Sequence, residues 1–254
     1  MSSYGVFARF YDQLTGNVEY KKRANYFRTL LSAQGVKGGT LLDLACGTGR
    51  LLYEMASFGF DVIGMDASAE MLCIAQSHPK AGEVKPLLLC QRMQALDLYD
   101  TVDAVVCSLD SINHLTSPQD VKAAFERVSL FLNPGGVFVF DVNTVYKHRN
   151  ILANNTFVYD LDELYCVWQN ELDAHTNTVE ITLDFFEEDL DAYYRSSETF
   201  SERAYAVNDL QEWLEDAGLI VTAVYEELTQ TPPREDAQKV VFTAVKQDIN
   251  AVGG

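Results

Sequence analysis

Positive charge and histidine are scarce in this sequence, and no long apolar run occurs. Of 254 residues, 19 are Lys or Arg against 37 Asp or Glu, a net charge of −18. The basic residues form no stripe, so the chain lacks the cationic footprint that phosphate backbones require. That balance favours a small-molecule partner over a nucleic acid. No apolar segment approaches a membrane span of about eighteen residues, and the opening MSSYGVFARFYD lacks the apolar core of a signal peptide. Cys46, Cys73, Cys90, Cys107 and Cys166 are odd in number and have no C-x-x-C spacing, against both a disulfide framework and a zinc site. These absences lead us to expect a cytoplasmic chain with no metal centre and no membrane segment.

What is present centres on TLLDLACGTGR, Thr40 to Arg50. Thr40 to Leu44 reads as a short buried strand with Asp43 near its end. Ala45 to Gly49 is a loop of small residues, and Arg50 to Phe58 carries Leu51, Leu52, Met55 and Ala56 at helical spacing. Strand, small loop and helix make the first half of a nucleotide-binding βαβ unit. Small side chains let a ligand lie against the backbone, and the helix that follows offers unpaired N–H groups. A second strand, Asp61 to Met65, ends at Asp66, about twenty residues past the loop, where a carboxylate can accept from ribose hydroxyls. The loop lacks G-x-G-x-x-G, since Leu51 and Leu52 follow Gly49, and lacks the Gly-Lys-Ser/Thr of a phosphate-binding loop. A nicotinamide-dependent oxidoreductase is thereby disfavoured.

The remaining pattern continues this alternation. Helices are expected over Tyr4–Leu14 and Glu19–Leu31, with a third opening at Ser68 as N-cap. Pro86–Cys90, Val102–Cys107 and Val137–Asp141 read as further strands, the last preceded by the turn LNPGG. A helix is expected from Pro118 to Leu132. Between Phe157 and Tyr205 the periodicity changes to apolar–polar alternation, with a hairpin turn at Asp173–Asn177; three or four inserted antiparallel strands follow. The acidic run Phe185–Asp191 reads as a solvated sheet edge. Asn208 or Asp209 is the expected cap of a helix to Asp216, and Leu219–Tyr225 and Val240–Lys246 close the chain as an antiparallel pair. The tail from Gln247 onward is expected to fray. His148 and His175 read as loop residues, and His78 as a helix-end residue.

Residues 41–50, 61–66, 108–115 and 133–141 together resemble class I S-adenosylmethionine-dependent methyltransferases. Asp43 to Gly49 matches the family's D/E-x-G-x-G-x-G with Ala45 at the first glycine. The resemblance implies an α/β, Rossmann-like, seven-stranded mostly parallel sheet flanked by helices, with an inserted antiparallel β lid subdomain. It divides the chain into 1–145 plus 206–247, the cofactor domain, and 146–205, the lid over the active site. FARFYD, Phe7 to Asp12, resembles the segment that folds over the cofactor in small-molecule members, which brings Tyr11 near the sulfonium, with Tyr20 as a second candidate. Packing of Phe7, Phe10 and Tyr11 against the core is the plainer alternative. Gln91, Arg92 and Met93 stand where the family commonly has Asp-Met against adenine; with Arg92 in place of the acid, the contact falls to backbone, Gln91 or Met93. SLDSINHLTSP, Ser108 to Pro118, resembles the family's acceptor loop, and His114 matches a histidine beside the acceptor in amine-methylating members; capping or packing remains its alternative.

The cofactor implied is S-adenosyl-L-methionine, leaving as S-adenosyl-L-homocysteine. The implied contacts are Tyr11, Tyr20, Asp43, Ala45, Cys46, Gly47, Gly49, Asp66, Ala67, Met71, Gln91, Arg92, Met93, Ser108 and Leu109, with His114 and Tyr11 as catalytic residues. The expected activity is methyl transfer to an amine or hydroxyl of a small molecule. A non-catalytic S-adenosylmethionine sensor is the alternative from another class, and a tRNA methyltransferase the lesser one. A homodimer through the inserted sheet is also expected. Trp168, Tyr194, Arg203 and Tyr205 are further pocket candidates that packing would equally explain.

Overall fold

The computed structural model describes residues 5–190 and 192–247. Two sheets carry the fold. The first has seven strands in the order β10–β11–β5–β4–β1–β2–β3. Its members are β1 (Gly39–Leu44), β2 (Phe60–Asp66), β3 (Leu87–Cys90), β4 (Val102–Cys107), β5 (Leu132–Asn143), β10 (Leu219–Glu226) and β11 (Lys239–Lys246). Only β11 runs against its neighbours, between β10 and β5. The second sheet has four antiparallel strands, β6 (Thr156–Leu161), β7 (Leu164–Asp173), β8 (Thr178–Asp189) and β9 (Ala192–Arg203), in sequence order. The helices are α1 (Phe7–Leu14), α2 (Tyr20–Ala33), α3 (Arg50–Ala56), α4 (Ala69–Gln76), α5 (Pro118–Phe131), the single turn α6 (Val145–Lys147) and α7 (Val207–Asp216). Among the described residues no helix is long and apolar enough to cross a membrane.

The central strands are apolar on both faces because helices cover both. Leu42, Leu44, Val105, Phe138 and Phe140 pack to one side with Val121, Phe125 and Leu210. Leu41, Ala104, Val106 and Val139 pack to the other with Phe27, Leu31 and Leu52. Phe140 stacks on Phe138 at 4.7 Å and on Phe242 at 4.8 Å, all three fully buried. Each such ring contributes about 1.5–3 kcal/mol of burial. This stack fixes the end of β5, where Asp141 follows Phe140. A third cluster joins α1 and Met71 of α4 to the inserted sheet through Phe7, Phe10, Val179, Ile181 and Phe185.

Several expectations need adjustment. The LNPGG turn lies inside β5: Leu132 already pairs with Val102, and the irregularity is absorbed before Val137 pairs with Ala104, with Gly135 left-handed (φ 76°). The acidic run from Phe185 belongs to β8, which is bonded on both sides; the free edges are β6 and β9, and Phe185 is core because period-two alternation turns it inward. Neither Asn208 nor Asp209 caps α7: the cap position is Ala206, whose carbonyl receives the Leu210 N–H, and Asp209 instead sits in the first turn, where its charge suits the helix dipole. Tyr4, Asp191 and the expected fraying beyond Gln247 fall outside the described residues.

Candidate active site

The chain turns from β1 into α3 through backbone conformations that few side chains accept. Gly47 (φ 54°) and Gly49 (φ 82°) are left-handed, and so is Ala45 (φ 67°). Ala45 therefore carries a cost of about 1–2 kcal/mol that glycine would avoid. A Cβ on Gly49 would lie 3.1 Å from both Ala75 and Tyr53, so α3 and α4 approach the loop as closely as its backbone permits. Asp66 secures the turn. Its Oδ2 accepts the Gly47 N–H at 2.8 Å and its Oδ1 the Ser68 N–H at 2.8 Å. Burial raises its pKa while these N–H groups oppose the rise. Ser68 then caps α4 by accepting from Met71 N at 3.2 Å.

Beneath the loop lies Asp43, 1% exposed, whose Oδ2 has no hydrogen-bond donor. Burial, and secondarily the Asp66 charge, push its carboxyl up to about 8. A buried acceptor without a donor is costly unless a ligand supplies one. Above it opens a cleft lined by Tyr11 and Tyr20 from the N-terminal helices, by Asp43, Ala45, Cys46, Gly47, Thr48, Arg50 and Leu51, and by Ser108, Leu109 and Ser111. Thr48 donates to Asp12 at 2.8 Å, tying α1 to the glycine loop. The Arg50 guanidinium lies 4.5 Å over the Tyr20 ring. An unpartnered carboxyl below, which an ammonium would ionise, and a cation at the mouth match an ammonium and a carboxylate on one ligand, so these residues fit the amino-acid end of S-adenosylmethionine.

Tyr11, Tyr20, Asp43, Ala45, Cys46, Gly47, Ser108 and Leu109 thus meet around one cleft, with Gly49 and Asp66 bonded to its loop. The other expected contacts lie elsewhere. Met71 is buried in the α1 cluster, and Ala67 accepts from Cys90 Sγ at 3.8 Å. The Gln91 amide is engaged in both directions with Asp97, Arg92 is exposed, and Met93 packs on the core. Asp12, Thr48, Arg50 and Ser111 were not anticipated. Arg50 alone had a signal, as a cation opening a helix where an acid is usual.

The acceptor loop after β4 is held from below. Leu109 (φ 57°) and Asp110 (φ 54°) are both left-handed. Asp141 maintains this turn: it accepts from Leu109 N at 3.0 Å, Asp110 N at 2.7 Å and Ser108 Oγ at 3.2 Å. Its charge is met by Arg23 at 2.9 Å and Lys239 at 3.5 Å, and Lys239 also reaches Asp110 at 2.7 Å. Burial alone would raise the Asp110 pKa, but Lys239 and Lys147 hold it well below the usual range. Asn113 completes the anchorage by exchanging hydrogen bonds with the backbone of Asn143 and donating to Arg203 O. Tyr205 donates to Leu115 O, and Arg203 to Thr116 O. Trp168 bonds Asn170 and Tyr194 is exposed, so neither lines the cleft.

His114 ends the 3-10 turn that begins at cleft-lining Ser111. It is 29% exposed, 5.4 Å from the Phe200 ring, with Nε2 3.6 Å from Glu202 Oε1. Burial lowers its pKa, partly countered by Asp110. His148 is a fully buried residue of a π-turn, not a loop residue. Its Nδ1 meets Asn177 O at 3.0 Å, and its Nε2 faces Glu202 Oε2 at 4.0 Å. Glu202 was missed, although its phase was legible: it alternates with Glu198 and Phe200 on the inward face of β9.

The chain is also similar to known proteins over most of its length. Residues 41–136 match a family model described as a methyltransferase domain. YqeM of Bacillus subtilis (strain 168), named as a methyltransferase, is 32% identical over 96% of this chain and 97% of its own length. The crystal structure of an S-adenosylmethionine-dependent methyltransferase from Clostridium acetobutylicum ATCC 824 superposes with a TM-score of 0.86 at 31% identity, covering 96% of this chain and 99% of that one. A dTDP-3-amino-3,6-dideoxy-alpha-D-glucopyranose N,N-dimethyltransferase of Streptomyces fradiae is 36% identical over 48% of this chain and 47% of its own.

Proposed function

The chain belongs to the class I S-adenosylmethionine-dependent methyltransferases, and from that premise we propose that it methylates an amine or hydroxyl of a small molecule. When bound, S-adenosyl-L-methionine supplies a methyl group already activated by its sulfonium. The protein's own residues then have to hold, orient and deprotonate. In this reading Asp66 accepts from the ribose hydroxyls, Asp43 receives the ammonium, and Arg50 faces the carboxylate. Tyr11 stands over the reacting centre, and His114 takes the acceptor's proton. With the Gln91 amide engaged by Asp97, adenine contacts fall to backbone groups and Met93. Residues 146–205 act as the lid, and 1–145 with 206–247 as the cofactor domain.

The observation that carries this reading is the unpaired Asp43 Oδ2 beneath the cleft where glycine loop, N-terminal helices and acceptor loop converge. A small-molecule acceptor is supported by the net charge of −18, and by the amino-sugar substrate in the name of the Streptomyces fradiae relative. A cytoplasmic setting accords with the free, exposed thiols Cys73 and Cys90. The open edge of β6, with Val158 exposed, is the support for a homodimer through the inserted sheet.

Calorimetry with S-adenosyl-L-homocysteine, followed by a screen for its release, tests the reading. Glucosamine against glucose, and ethanolamine against ethylene glycol, present each amine beside a hydroxyl counterpart. Tight binding with release driven by either class supports transfer. Tight binding with no acceptor-dependent release across a wider panel of both classes favours the sensor. A steep loss of tRNA binding with salt would bring RNA back into consideration.

A further inference from the structure

We propose that Glu202 is a positioning residue behind His114 and that the pair takes the proton from an acceptor delivered as a cationic amine. This rests on the methyl-transfer reading and narrows its acceptor.

Glu202 lies on β9 of the inserted sheet, yet its carboxyl is buried (6% exposed) between two histidines that lie outside that sheet. Oε1 stands 3.6 Å from His114 Nε2, and Oε2 stands 4.0 Å from His148 Nε2 and 3.4 Å from Asn143 Nδ2. The tautomer of His148 follows from its second nitrogen. Asn177 O at 3.0 Å can only accept, so Nδ1 carries the proton and Nε2 presents a lone pair. That Nε2 has no other partner. Two lone pairs therefore confront each other at the Glu202–His148 contact unless a proton lies between them.

The surrounding charges indicate where that proton resides. Glu202 faces Asp110 on the acceptor loop, Lys147 on α6, Lys239 on β11, His114 on the 3-10 turn and His148 on the π-turn. Lys239 is already engaged by Asp110 and Asp141, and Lys147 donates to Asn143 at 2.8 Å. Burial, reinforced by Asp110, pushes Glu202 well above the usual carboxylate range, whereas burial pulls His148 down to about 4. Both directions favour a protonated Glu202 carboxyl beside a neutral His148 ring. Once ionised, Glu202 has an imidazole on each side and no full cation of its own. A positive charge arriving at His114 is what it lacks.

An ammonium supplies that charge. The N–H bond breaks, its proton passes to the lone pair of the neutral His114 imidazole, and the electron pair stays on nitrogen as the nucleophile. Above its own midpoint Glu202 has already given up its proton to solvent, and the carboxylate 3.6 Å from Nε2 stabilises the imidazolium, so ammonium plus neutral histidine become amine plus histidinium. The acidity match favours nitrogen. Aliphatic ammonium groups titrate at about 8 to 10, within reach of a histidine backed by a carboxylate. A hydroxyl as weakly acidic as water, near 16, is not.

The test has two arms. In the first, 13C-labelled glutamate in the intact chain is followed by NMR across the pH range, with Glu202→Gln identifying the resonance. A Glu202 midpoint well above the ordinary value of about 4.3, with His148 shifting in the variant, is expected. An ordinary midpoint overturns the proposal. In the second, glucosamine and ethanolamine are compared with glucose and ethylene glycol as acceptors. Glu202→Gln should lower kcat/KM for the amines at least about tenfold and remove the rise of rate on the alkaline side, with Glu202→Asp restoring part. Affinity for S-adenosyl-L-homocysteine should stay unchanged. An unaltered pH profile in Glu202→Gln, or transfer confined to hydroxyls, overturns it. Failure of every acceptor would remove the parent reading, while the titration would still decide the state of Glu202. Glutamine mimics the protonated carboxyl, so the variant is expected to fold.

Discussion

Replacing Asp43 by asparagine should stabilise the free protein at alkaline pH and weaken its grip on cofactor. The carboxyl is fully buried, and its pKa is about 8 in the folded chain against about 3.9 unfolded. The folded state thus binds the proton more tightly. Its contribution to stability is complete below about pH 4 and is lost as pH rises through 8. A gap of about four units sets a ceiling of roughly 5 kcal/mol between the ends of that window. Relaxation and water entry reduce it, and about 2–3 kcal/mol is a reasonable working figure, or roughly 5–10 °C in Tm for a chain of this size. Thermal melts of wild type and Asp43→Asn at pH 5 and pH 9 should therefore diverge, the variant gaining little at pH 5 and most of the difference by pH 9. Calorimetry with S-adenosyl-L-homocysteine at pH 7 in two buffers of different ionisation enthalpy adds the functional half. Wild type should release about one proton on binding, because an ammonium at Oδ2 restores the ionised form; the variant should release none and bind about 10- to 100-fold more weakly, the worth of one charge-assisted hydrogen bond. A difference in Tm that does not grow with pH, or equal proton release by both proteins, refutes the reasoning.

Asp66→Ala should weaken S-adenosyl-L-homocysteine binding at least about tenfold in the same calorimetry, since it removes the carboxylate proposed to accept from the ribose and the bond that shapes Gly47. Arg23→Met removes one of the two cations beside Asp141 and Glu227, leaving Lys239, and should cost about 2 kcal/mol in urea unfolding, with little change in cofactor affinity. His114→Ala should lower turnover on the order of a hundredfold while cofactor affinity is retained, and full activity would make it a packing residue beside Phe200.

What could be read from the sequence was whatever depends on neighbours along the chain. The glycine loop, Asp66, the Ser68 cap and the four-stranded insertion are local patterns of period, size and capping, and each appears where those patterns put it. The cleft-facing tyrosines came from resemblance, because an aromatic helix packed on a core has the same pattern as one packed over a ligand. The ion network did not come at all. Arg23, Asp110, Asp141, Glu227 and Lys239 sit on five separate segments, and each alone reads as a solvated charge. Only β11 threading between β10 and β5 brings Lys239 under the acceptor loop. His148 was misread for the same reason: its sequence context is polar, but the inserted sheet closes over it.

The inserted sheet's inward acids attach it at separate points to α1 and to the turn that carries His114. Glu198 accepts the Phe7 N–H at 2.8 Å at the start of α1, while exposed Glu187 pairs with Arg9 at 2.9 Å two residues on. At its other end α1 holds the glycine loop through Asp12 and Thr48. Glu202, two residues beyond Phe200 on the same face, meets His114 on the acceptor side. One strand, β9, therefore touches the cofactor loop through α1 and the acceptor loop through His114. Phe7 and His114 both pack against Phe200, with ring separations of 5.9 and 5.4 Å, so displacing that ring disturbs both contacts together. In the proposed function, ordering α1 over the cofactor and setting His114 for the acceptor would share one packing contact at Phe200, and the side-chain alternation along β9 is the reason they share it.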